Sequence, residues 1–524
     1  MRARLPHPGS FVALAIVALV TGGFVALAGV DGGKPMLLSL GPYLTRILAF
    51  SLAQAGLSTI LSLALGIGLA LALARRRFIG RDAVLAALGV TMAMPTIVVV
   101  FAVFAVYGRS GWLAEVLAVF GWSGDFTIFG YPGILIAHVF LNAPFVARIA
   151  LDALSLVPAE QWRLAAALGF TPGQTFRHLD WPVLRAELPG VAGLVFLLCF
   201  KSFAIVLALG GGPNRATLEV AIFEALKTDL DFSRASWLAF IQLAICLSLT
   251  AALYWSFRRP PVTHTVRAVM PRPDAADPGL KIVDAAILTA GLLFIAPLAL
   301  SVLGGLRHLI DVLDGDLLQA FATSLAIAVA AAILACLLAL SLGAAARRRR
   351  LMMRSPRLSA LYDLLPDALL AVPPFALTAG LFLMVRPLAD PATAGLILLP
   401  LVNGLAALPF AYRYIAPRLM TTEERYGRLA ASLGMTGLAK LKIMDWPVLK
   451  RPLGAGFALS MALSFGDFGI IALFGGTELR TLPYLLYERL GSYRLDEASA
   501  IGLVIVLIAF ILAHASGRLS HAGH

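Results

Sequence analysis

The sequence predicts an all-α integral membrane protein with about twelve transmembrane helices, arranged as two tandem six-helix halves. Three observations predict this fold class: an apolar composition, apolar stretches along the whole chain, and an internal repeat. Of the 524 residues, 60% are apolar and 14% are charged, whereas soluble domains are roughly 25% charged. The mean hydropathy is +0.88. Because apolar stretches recur throughout, a single cleaved signal peptide does not explain the composition.

The apolar stretches are expected to be helices. In lipid every backbone N–H and C=O needs an internal partner, and a helix of about 17 to 25 residues crosses the hydrocarbon core. Barrel strands would be shorter and would alternate in polarity. The predicted spans lie near residues 11–30, 47–74, 83–107, 133–157, 188–212, 235–257, 283–304, 318–346, 362–386, 392–416, 453–475 and 498–514.

The basic residues predict the orientation. Arginine clusters at 75–77, 258–259 and 347–350 fall in loops on one side of the predicted membrane. Positive residues stay on the cytoplasmic side, so both termini are predicted to be cytoplasmic. This distribution also accounts for the net charge of +13 and argues against a nucleic-acid-binding surface.

The repeat defines the two halves. Residues Asp180–Leu184, with the sequence DWPVL, recur unchanged as Asp445–Leu449, 265 residues later. Because 265 residues hold six spans, an even number, the two copies have the same orientation and are related by a pseudo-twofold axis along the membrane normal. We expect a first half at 1–258, a cytoplasmic linker at 259–281 and a second half at 282–524.

The repeated motif lies in two predicted cytoplasmic loops, 158–187 and 417–452. In the first, Gly169 suits a helix end, Thr171 and Pro172 suit the start of a second helix, and Pro182 is expected to end it. Phe176, Leu179 and Trp181 are expected to form an apolar face. Such a face suits either the lipid headgroups or a groove on a partner; identical copies favour a partner that offers the same pocket twice.

At these residues the chain resembles a known family. The pattern of Ala165 and Gly169 followed by Pro182, with its second copy, is similar to the coupling loop of type I ABC importer permeases, which docks on the ATP-binding subunit. Arg163 and Arg428 stand where the family usually has a glutamate, so that contact is in doubt here. The resemblance implies these coupling residues: Ala165, Gly169, Asp180, Trp181, Pro182, Ala430, Gly434, Asp445, Trp446 and Pro447.

The fusion of two halves resembles iron(III), aminoethylphosphonate and thiamine permeases, and most closely the thiamine permeases. The matching segments are 107–113, 137–140, 209–213, 465–469, 473–475, 480–483 and 491–494. The resemblance implies a bacterial inner-membrane permease that imports thiamine or its phosphate esters by alternating access. It also implies a periplasmic binding protein and two copies of an ATP-binding subunit, which would bind ATP and Mg. Iron(III) is the main alternative cargo.

Other classes fit the sequence less well. A secondary transporter of the major facilitator type shares the twelve-span layout, but it predicts no duplicated coupling loop. An enzyme is not expected, because the sequence has no HExxH, no GxSxG and no phosphate-binding Gly-x4-Gly-Lys-Ser/Thr. Cys199, Cys246 and Cys336 fall inside predicted spans without zinc-type spacing and are read as packing residues. Neither catalytic residues nor a metal site nor a cofactor of this chain's own is predicted.

Two charged residues within predicted spans are candidates for the translocation path. Intramembrane charge is costly and usually faces a cavity or a partner. Lys201 and Asp467 are placed near each other by the repeat, which aligns Asp467 with Ser202 and Phe468 with Phe203. They form either an ion pair between the halves or, for Asp467, an attraction site for the cationic thiazolium. The path candidates are Lys201, Ser202, Phe203, Asp467 and Phe468.

The remaining features have structural and functional interpretations that both stay open. Pro95 and the Pro373–Pro374 pair are expected to interrupt the third and ninth spans. The outer loops 213–234 and 476–497 either dock the binding protein or cover the bundle. Polar side chains expected to anchor spans at the interface are Arg148, Asp152 and Arg413, and those expected to bond between helices are His138, Asn142 and Asn403.

Overall fold

A computed structural model describes residues 8–29, 41–121, 127–212, 215–256, 272–352, 355–476 and 478–521. Within these ranges the chain is helical and contains no β-strand, so the predicted all-α fold is confirmed. Much of the predicted linker, 257–271, lies outside the described residues, as does Pro213.

The helices are numbered in chain order. The first part of the chain forms α1 (Pro8–Gly29), α2 (Gly41–Arg75), α3 (Arg81–Ala93), α4 (Thr96–Tyr107), α5 (Trp112–Val119), α6 (Tyr131–Leu154), α7 (Ala159–Ala167), α8 (Pro172–Thr175), α9 (Trp181–Phe200), α10 (Ala204–Leu209), α11 (Leu218–Phe223) and α12 (Phe232–Ser256). The second part forms α13 (Pro278–Ser301), α14 (Gly315–Arg347), α15 (Pro356–Leu369), α16 (Pro374–Val385), α17 (Pro391–Ser432), α18 (Gly437–Lys440), α19 (Trp446–Phe465), α20 (Ile471–Phe474), α21 (Leu482–Gly491) and α22 (Leu495–His521).

The number of spans agrees approximately with the prediction. Among the described residues ten helices are long and apolar enough to cross a membrane, or eleven if the bent pair formed by α15 and α16 is one span. The predicted span 453–475 corresponds to α19, which is not among them. α19 starts inside the second loop and carries Lys450 and Arg451 near its beginning, so less of its length is apolar.

Prolines break two of the predicted spans, as expected. The third span is divided at Met94 and Pro95, both in extended conformation, into α3 and α4. The ninth is divided before Pro374, and its two helices are bent by 93°. Predicted spans 188–212 and 453–475 are also not continuous, because α9 and α19 end at Phe200 and Phe465 and short helices follow.

Each half places its first helix against the other half. α1 packs on α16 so closely that a Cβ on Gly380 would lie 2.1 Å from the Gly23 carbonyl oxygen. α13 packs on α2, where Gly291 faces the Leu69 side chain. The sequence repeat therefore describes the order of the helices, but the two halves are interlocked in space.

Candidate functional site

The first predicted coupling loop, 158–187, is a bent pair of helices. α7 ends at Ala167, and two residues later Gly169 has a φ of +61°, which is strained for any residue with a side chain. Its N–H and that of Phe170 donate to the carbonyls of Ala166 and Ala165. Thr171 then caps α8 through a reciprocal pair of hydrogen bonds with Gln174. The predicted helix end and start are confirmed.

The prediction that Pro182 ends the second helix is wrong. Between α8 and α9, Phe176–Asp180 form one wide π-helical turn, in which the Trp181 N–H donates to the Phe176 carbonyl. Pro182 then lies in the first turn of α9, a position that proline favours. The helix therefore continues from the loop into the membrane-spanning segment without a break.

The second loop, 417–452, repeats this geometry. Gly434 has a φ of +65°, and Met435 donates to the Ala430 carbonyl at 2.9 Å, as Phe170 does to Ala165 at 3.0 Å. A second π-helical turn, Leu441–Asp445, precedes Pro447. The two copies thus share a local structure as well as a sequence.

Both loops expose apolar side chains. Trp181 and Trp446 are 42% and 54% exposed, and Leu168 and Leu433 are 63% and 66% exposed at equivalent positions. Phe176 is also exposed, but Leu179 is buried against Trp162 and Ala165, so its predicted place on the apolar face is wrong. The sequence interpretation missed Leu168 and Leu433, which the repeat itself could have indicated. Arg163 and Arg428 are exposed in both copies.

The repeated aspartates point inward, away from the exposed face. Asp180 accepts two hydrogen bonds from Arg272, at 3.0 and 2.7 Å. Asp445 accepts two from Arg347, at 2.8 and 3.1 Å. Burial raises the pKa of Asp180, and the hydrogen bonds from Arg272 oppose that rise. Of the predicted coupling residues, Ala165, Ala430 and both aspartates are therefore buried supports, while the glycines and tryptophans shape and form the surface.

A cavity of about 540 Å³ lies between the two halves. It adjoins a second cavity of about 590 Å³, because both are lined by Met92, Met94, Thr96, Leu463 and Asp467. The second cavity reaches Leu73 and Leu151, near the ends of α2 and α6 that lead toward the coupling loops. Polar residues that line the first cavity are Thr96, His138, Asn142, Lys201, Ser202, Glu219 and Asp467.

The structure contains no Lys201–Asp467 ion pair. The Lys201 ammonium donates to the carbonyl of Leu370 at 2.5 Å, next to the break between α15 and α16. Asp467 accepts from the backbone N–H of Ile470 at 3.2 Å. Both side chains line the same cavity, but each is satisfied by the backbone at a helix break.

Phe203 and Phe468, which the repeat places at equivalent positions, meet across the pseudo-twofold axis. Their ring centroids are 6.0 Å apart, and the Phe375 ring stacks on Phe203 at 4.9 Å. Phe223 and Tyr487 extend the cluster. It lies beyond the ends of α9 and α19 that are distant from the coupling loops, and it borders the 540 Å³ cavity.

Glu219 is a cavity residue that the sequence interpretation missed. It lies in α11, is 2% exposed, and accepts a hydrogen bond from Gln242 at 2.8 Å. The sequence feature that could have indicated it is a single carboxylate in an otherwise apolar segment, Leu218–Phe223. Together with Asp467 it gives the cavity two carboxylates and one ammonium.

The predicted interhelical polar contacts are present. His138 Nδ1 lies 3.0 Å from Ser58 Oγ, the Asn142 side chain donates to Cys199 Sγ at 3.4 Å, and Asn403 donates to Ser464 at 2.9 Å. The exposed Arg148 and Arg413 form ion pairs with Asp152 and Asp367. The three cysteines are buried and free. Among the described residues no group of three or more His, Cys, Asp or Glu could hold a metal ion.

The outer segments match in the two halves. The Leu218 N–H donates to Ser51 and the Leu482 N–H donates to Ser324 at 3.1 and 2.8 Å. Because α11 is largely buried, this part of the first outer loop covers the bundle. Glu224 and Glu488 are half-buried beyond it and are still candidate contacts for a binding protein.

Comparison with known proteins places these features in a family. Residues 62–259 match the family described as binding-protein-dependent transport system inner membrane component. The thiamine transport system permease protein ThiP of Brucella melitensis is 38% identical over 514 residues, 97% of this chain and 94% of that protein. ThiP of Escherichia coli is 38% identical over 90% of this chain and 88% of its own length. A putative ferric transport system permease protein, FbpB 1 of Haemophilus influenzae, is 29% identical over 42% of this chain and 35% of its own length.

Proposed function

The chain belongs to the binding-protein-dependent transport permeases, in the fused two-half form of the ThiP proteins. We propose that it carries thiamine or its phosphate esters into the cytoplasm. It is the membrane permease of an ABC importer and not an enzyme. Identity of 38% over nearly the whole chain to thiamine permeases carries the choice of cargo. The ferric permease match covers less than half of the chain, so iron(III) is the weaker alternative.

Two ATP-binding subunits would dock on the two coupling loops and would bind the ATP and Mg. The support is the duplicated geometry: each loop holds a tryptophan and a leucine exposed at equivalent positions beside a glycine of positive φ. Repeated apolar surfaces of this kind fit a groove on a partner. The glycines and tryptophans set the docking surface, and the inward aspartates hold it in place.

The two cavities would form the substrate path. They run between the halves from the coupling-loop side to the aromatic cluster around Phe203, Phe375 and Phe468. The structure would thus represent a state open toward the cytoplasm and closed by the aromatic rings on the periplasmic side. Alternating access then requires the rings to separate when the ATP-binding subunits close.

Asp467 and Glu219 would attract the thiazolium cation. Both carboxylates line a cavity of otherwise mainly apolar residues, and the Lys201 ammonium there donates to the Leu370 carbonyl. We expect Asp467→Asn and Glu219→Gln to lower thiamine uptake about tenfold, or about 1.4 kcal/mol. Glu115→Gln, at an exposed carboxylate of α5 outside the cavity, should leave uptake unchanged. Equal uptake by all three variants would contradict this assignment.

Both termini would lie in the cytoplasm with the coupling loops. At the N-terminal end, Ser10 bonds to Tyr362 and Gly9 contacts α14 at Ser341, close to Arg347. At the C-terminal end, Ser516 donates to the carbonyl of Ala455 in α19. Both ends of the described chain therefore lie beside helices that contact the second coupling loop or start in it: α14 contacts it through Arg347, and α19 starts inside it. The boundaries of the two halves and of the linker stay as the repeat predicts them.

The test is uptake of labelled thiamine into vesicles that contain the chain, its ATP-binding subunit and a periplasmic binding protein. We expect uptake that needs ATP hydrolysis and stops with a non-hydrolysable analogue. ATP-driven uptake of iron(III) without uptake of thiamine would retain the importer and refute the cargo. Uptake of thiamine without the ATP-binding subunit would refute the coupling mechanism.

A further inference from the structure

Arg272, in the segment between the halves, holds both arms of the first coupling loop. Its guanidinium donates to both Asp180 oxygens and lies 4.5 Å from the centre of the Trp162 ring. It also donates to both oxygens of Asp274. The side chain is 7% exposed. One buried cation thus fixes the arm before Gly169 and the arm after it.

The residues that follow Arg272 are held by further contacts to the first half. The Ala275 carbonyl accepts a hydrogen bond from Arg76. Asp284, in the second turn of α13, is fully buried and accepts hydrogen bonds from Arg75 and Arg76 at 2.6 Å each. Residues 272–284, here named the strap, therefore connect the first coupling loop to α13, the first helix of the second half.

α13 leads from the strap to a wall of the substrate path. It packs on α2 and continues into Val302–Arg307, a 3₁₀ turn against α22. There a Cβ on Gly305 would lie 2.3 Å from the Ser499 carbonyl oxygen. Ala509 and Ala513, further along α22, line the 590 Å³ cavity.

The second coupling loop is held differently. Asp445 is bound by Arg347 at the end of α14, within the same half. Glu423, which pairs with Lys440 at 2.7 Å, completes this second anchor. The chemistry of the two anchors is the same, but among the described residues only Arg272 comes from the linker that leads into the opposite half, whereas Arg347 belongs to the same half as its loop.

We propose that the strap transmits movement of the first coupling loop through α13 to α22, so that one ATP-binding subunit acts on both halves. The inference rests on the proposed function in one respect, the docking of the ATP-binding subunit on the loop. Buried bidentate ion pairs are costly to break, so the loop and the start of α13 move together. Because α13 packs on α2 and α4 and continues into the turn at Val302–Arg307, which packs on α22, that movement reaches the cavity wall.

The experiment slackens the strap and keeps every side chain that forms its two anchors. A Gly-Gly-Gly insertion between Ala276 and Asp277 separates the Arg272 anchor from the Asp284 anchor. The matched control is the same insertion between Val266 and Arg267, before the strap. Each is combined with Ala513→Cys, and the rate of labelling by a thiol reagent is measured in the reconstituted complex with and without ATP. The native cysteines are buried, which keeps the background low.

We expect ATP to change the labelling rate in the chain without an insertion and in the control. With the insertion after Ala276, the effect of ATP on the labelling rate should become smaller by about fivefold or more. Fivefold is the lower end of typical coupling between two sites. An undiminished effect of ATP on the labelling rate in that variant would refute the proposal that the strap transmits movement. An equal loss of this effect in both insertion variants would also refute it. The readout needs no cargo, so a failure to transport thiamine would refute the proposed substrate and leave this test intact.

Arg272→Ala gives a second measurement, compared with Arg347→Ala at the equivalent anchor. Both break a buried pair, and both are expected to weaken one docking loop. Only Arg272→Ala should lower the number of thiamine molecules imported per ATP hydrolysed, because only that anchor joins the halves. A proportional loss of uptake and hydrolysis in both variants would show that Arg272 has a merely local structural role.

Discussion

Replacing Gly169 with alanine tests whether the ATP-binding subunit docks on the first coupling loop. Gly169 has a φ of +61°, and a Cβ built on it meets no atom within 4 Å. The substitution therefore adds backbone strain and no steric clash. A left-handed conformation costs a residue with a side chain about 1–2 kcal/mol, so the docking conformation becomes less favourable by that amount.

The assay is a titration of the permease in lipid nanodiscs with labelled ATP-binding subunit. The loss of about 1–2 kcal/mol corresponds to about 5–30-fold weaker binding at one of two sites, so the binding curve should become biphasic. Gly434 has a φ of +65° and equally open surroundings. Gly434→Ala should therefore weaken binding at the second coupling loop. Asparagine tolerates this conformation better, so Gly169→Asn should recover part of the affinity.

Gly173 provides the matched control in the same loop. Its Cβ position is equally open and its φ is ordinary, and it lies in α8, where alanine is favoured over glycine by roughly 0.5–1 kcal/mol. Gly173→Ala should leave binding unchanged. If Gly169→Ala binds as tightly as the unchanged chain, or if the two alanine variants weaken binding equally, the positive φ is not what the partner requires.

Three further outcomes follow from contacts described above. Arg347→Met leaves Asp445 buried without its cation, and we expect a loss of about 3–5 kcal/mol in the free energy of unfolding. The loss should be smaller in the double variant that also carries Asp445→Asn. Equal losses in the single and double variants would contradict the pairing. Gly380→Ala should cost about 1–3 kcal/mol by forcing α1 from α16, whereas Gly22→Ala, with only ordinary contacts at 3.9 Å, should not lower the melting temperature. Phe203→Ala opens the aromatic cluster, so thiamine should leak from loaded vesicles without ATP; a tight membrane would show that other groups form the seal.

The sequence predicted those features that depend on local pattern or on the repeat. Gly169 and Thr171 mark a helix end and a helix start because the physics of each is local. The repeat aligned Phe203 with Phe468, and the structure shows that the two rings meet. The repeat also placed Asp467 and Lys201 near each other, and both line one cavity, although it did not reveal that each is satisfied by the backbone at a helix break.

The features that the sequence did not predict depend on partners far along the chain. Asp180 belongs to a repeated motif, yet nothing in that motif indicates that its partner is Arg272, 92 residues away. Pro182 was expected to end a helix because a π-helical turn cannot be read from residue types. Glu219 was missed because a single carboxylate gives no pattern until α11 is folded against the cavity.

The interlocking of α1 with α16 has a consequence for synthesis of the protein. About 345 residues separate the end of α1 at Gly29 from the start of α16 at Pro374. At about 5–20 residues per second, α1 spends roughly 20–70 s in the membrane before α16 exists. α1 contains no charged residue, and its mean hydropathy of 2.4 is among the higher values of the candidate spans. Such a helix is stable in lipid without α16, and a polar substitution that is tolerated in the finished protein is expected to fail at this earlier stage, when the ribosome has not yet made the helix that covers that face.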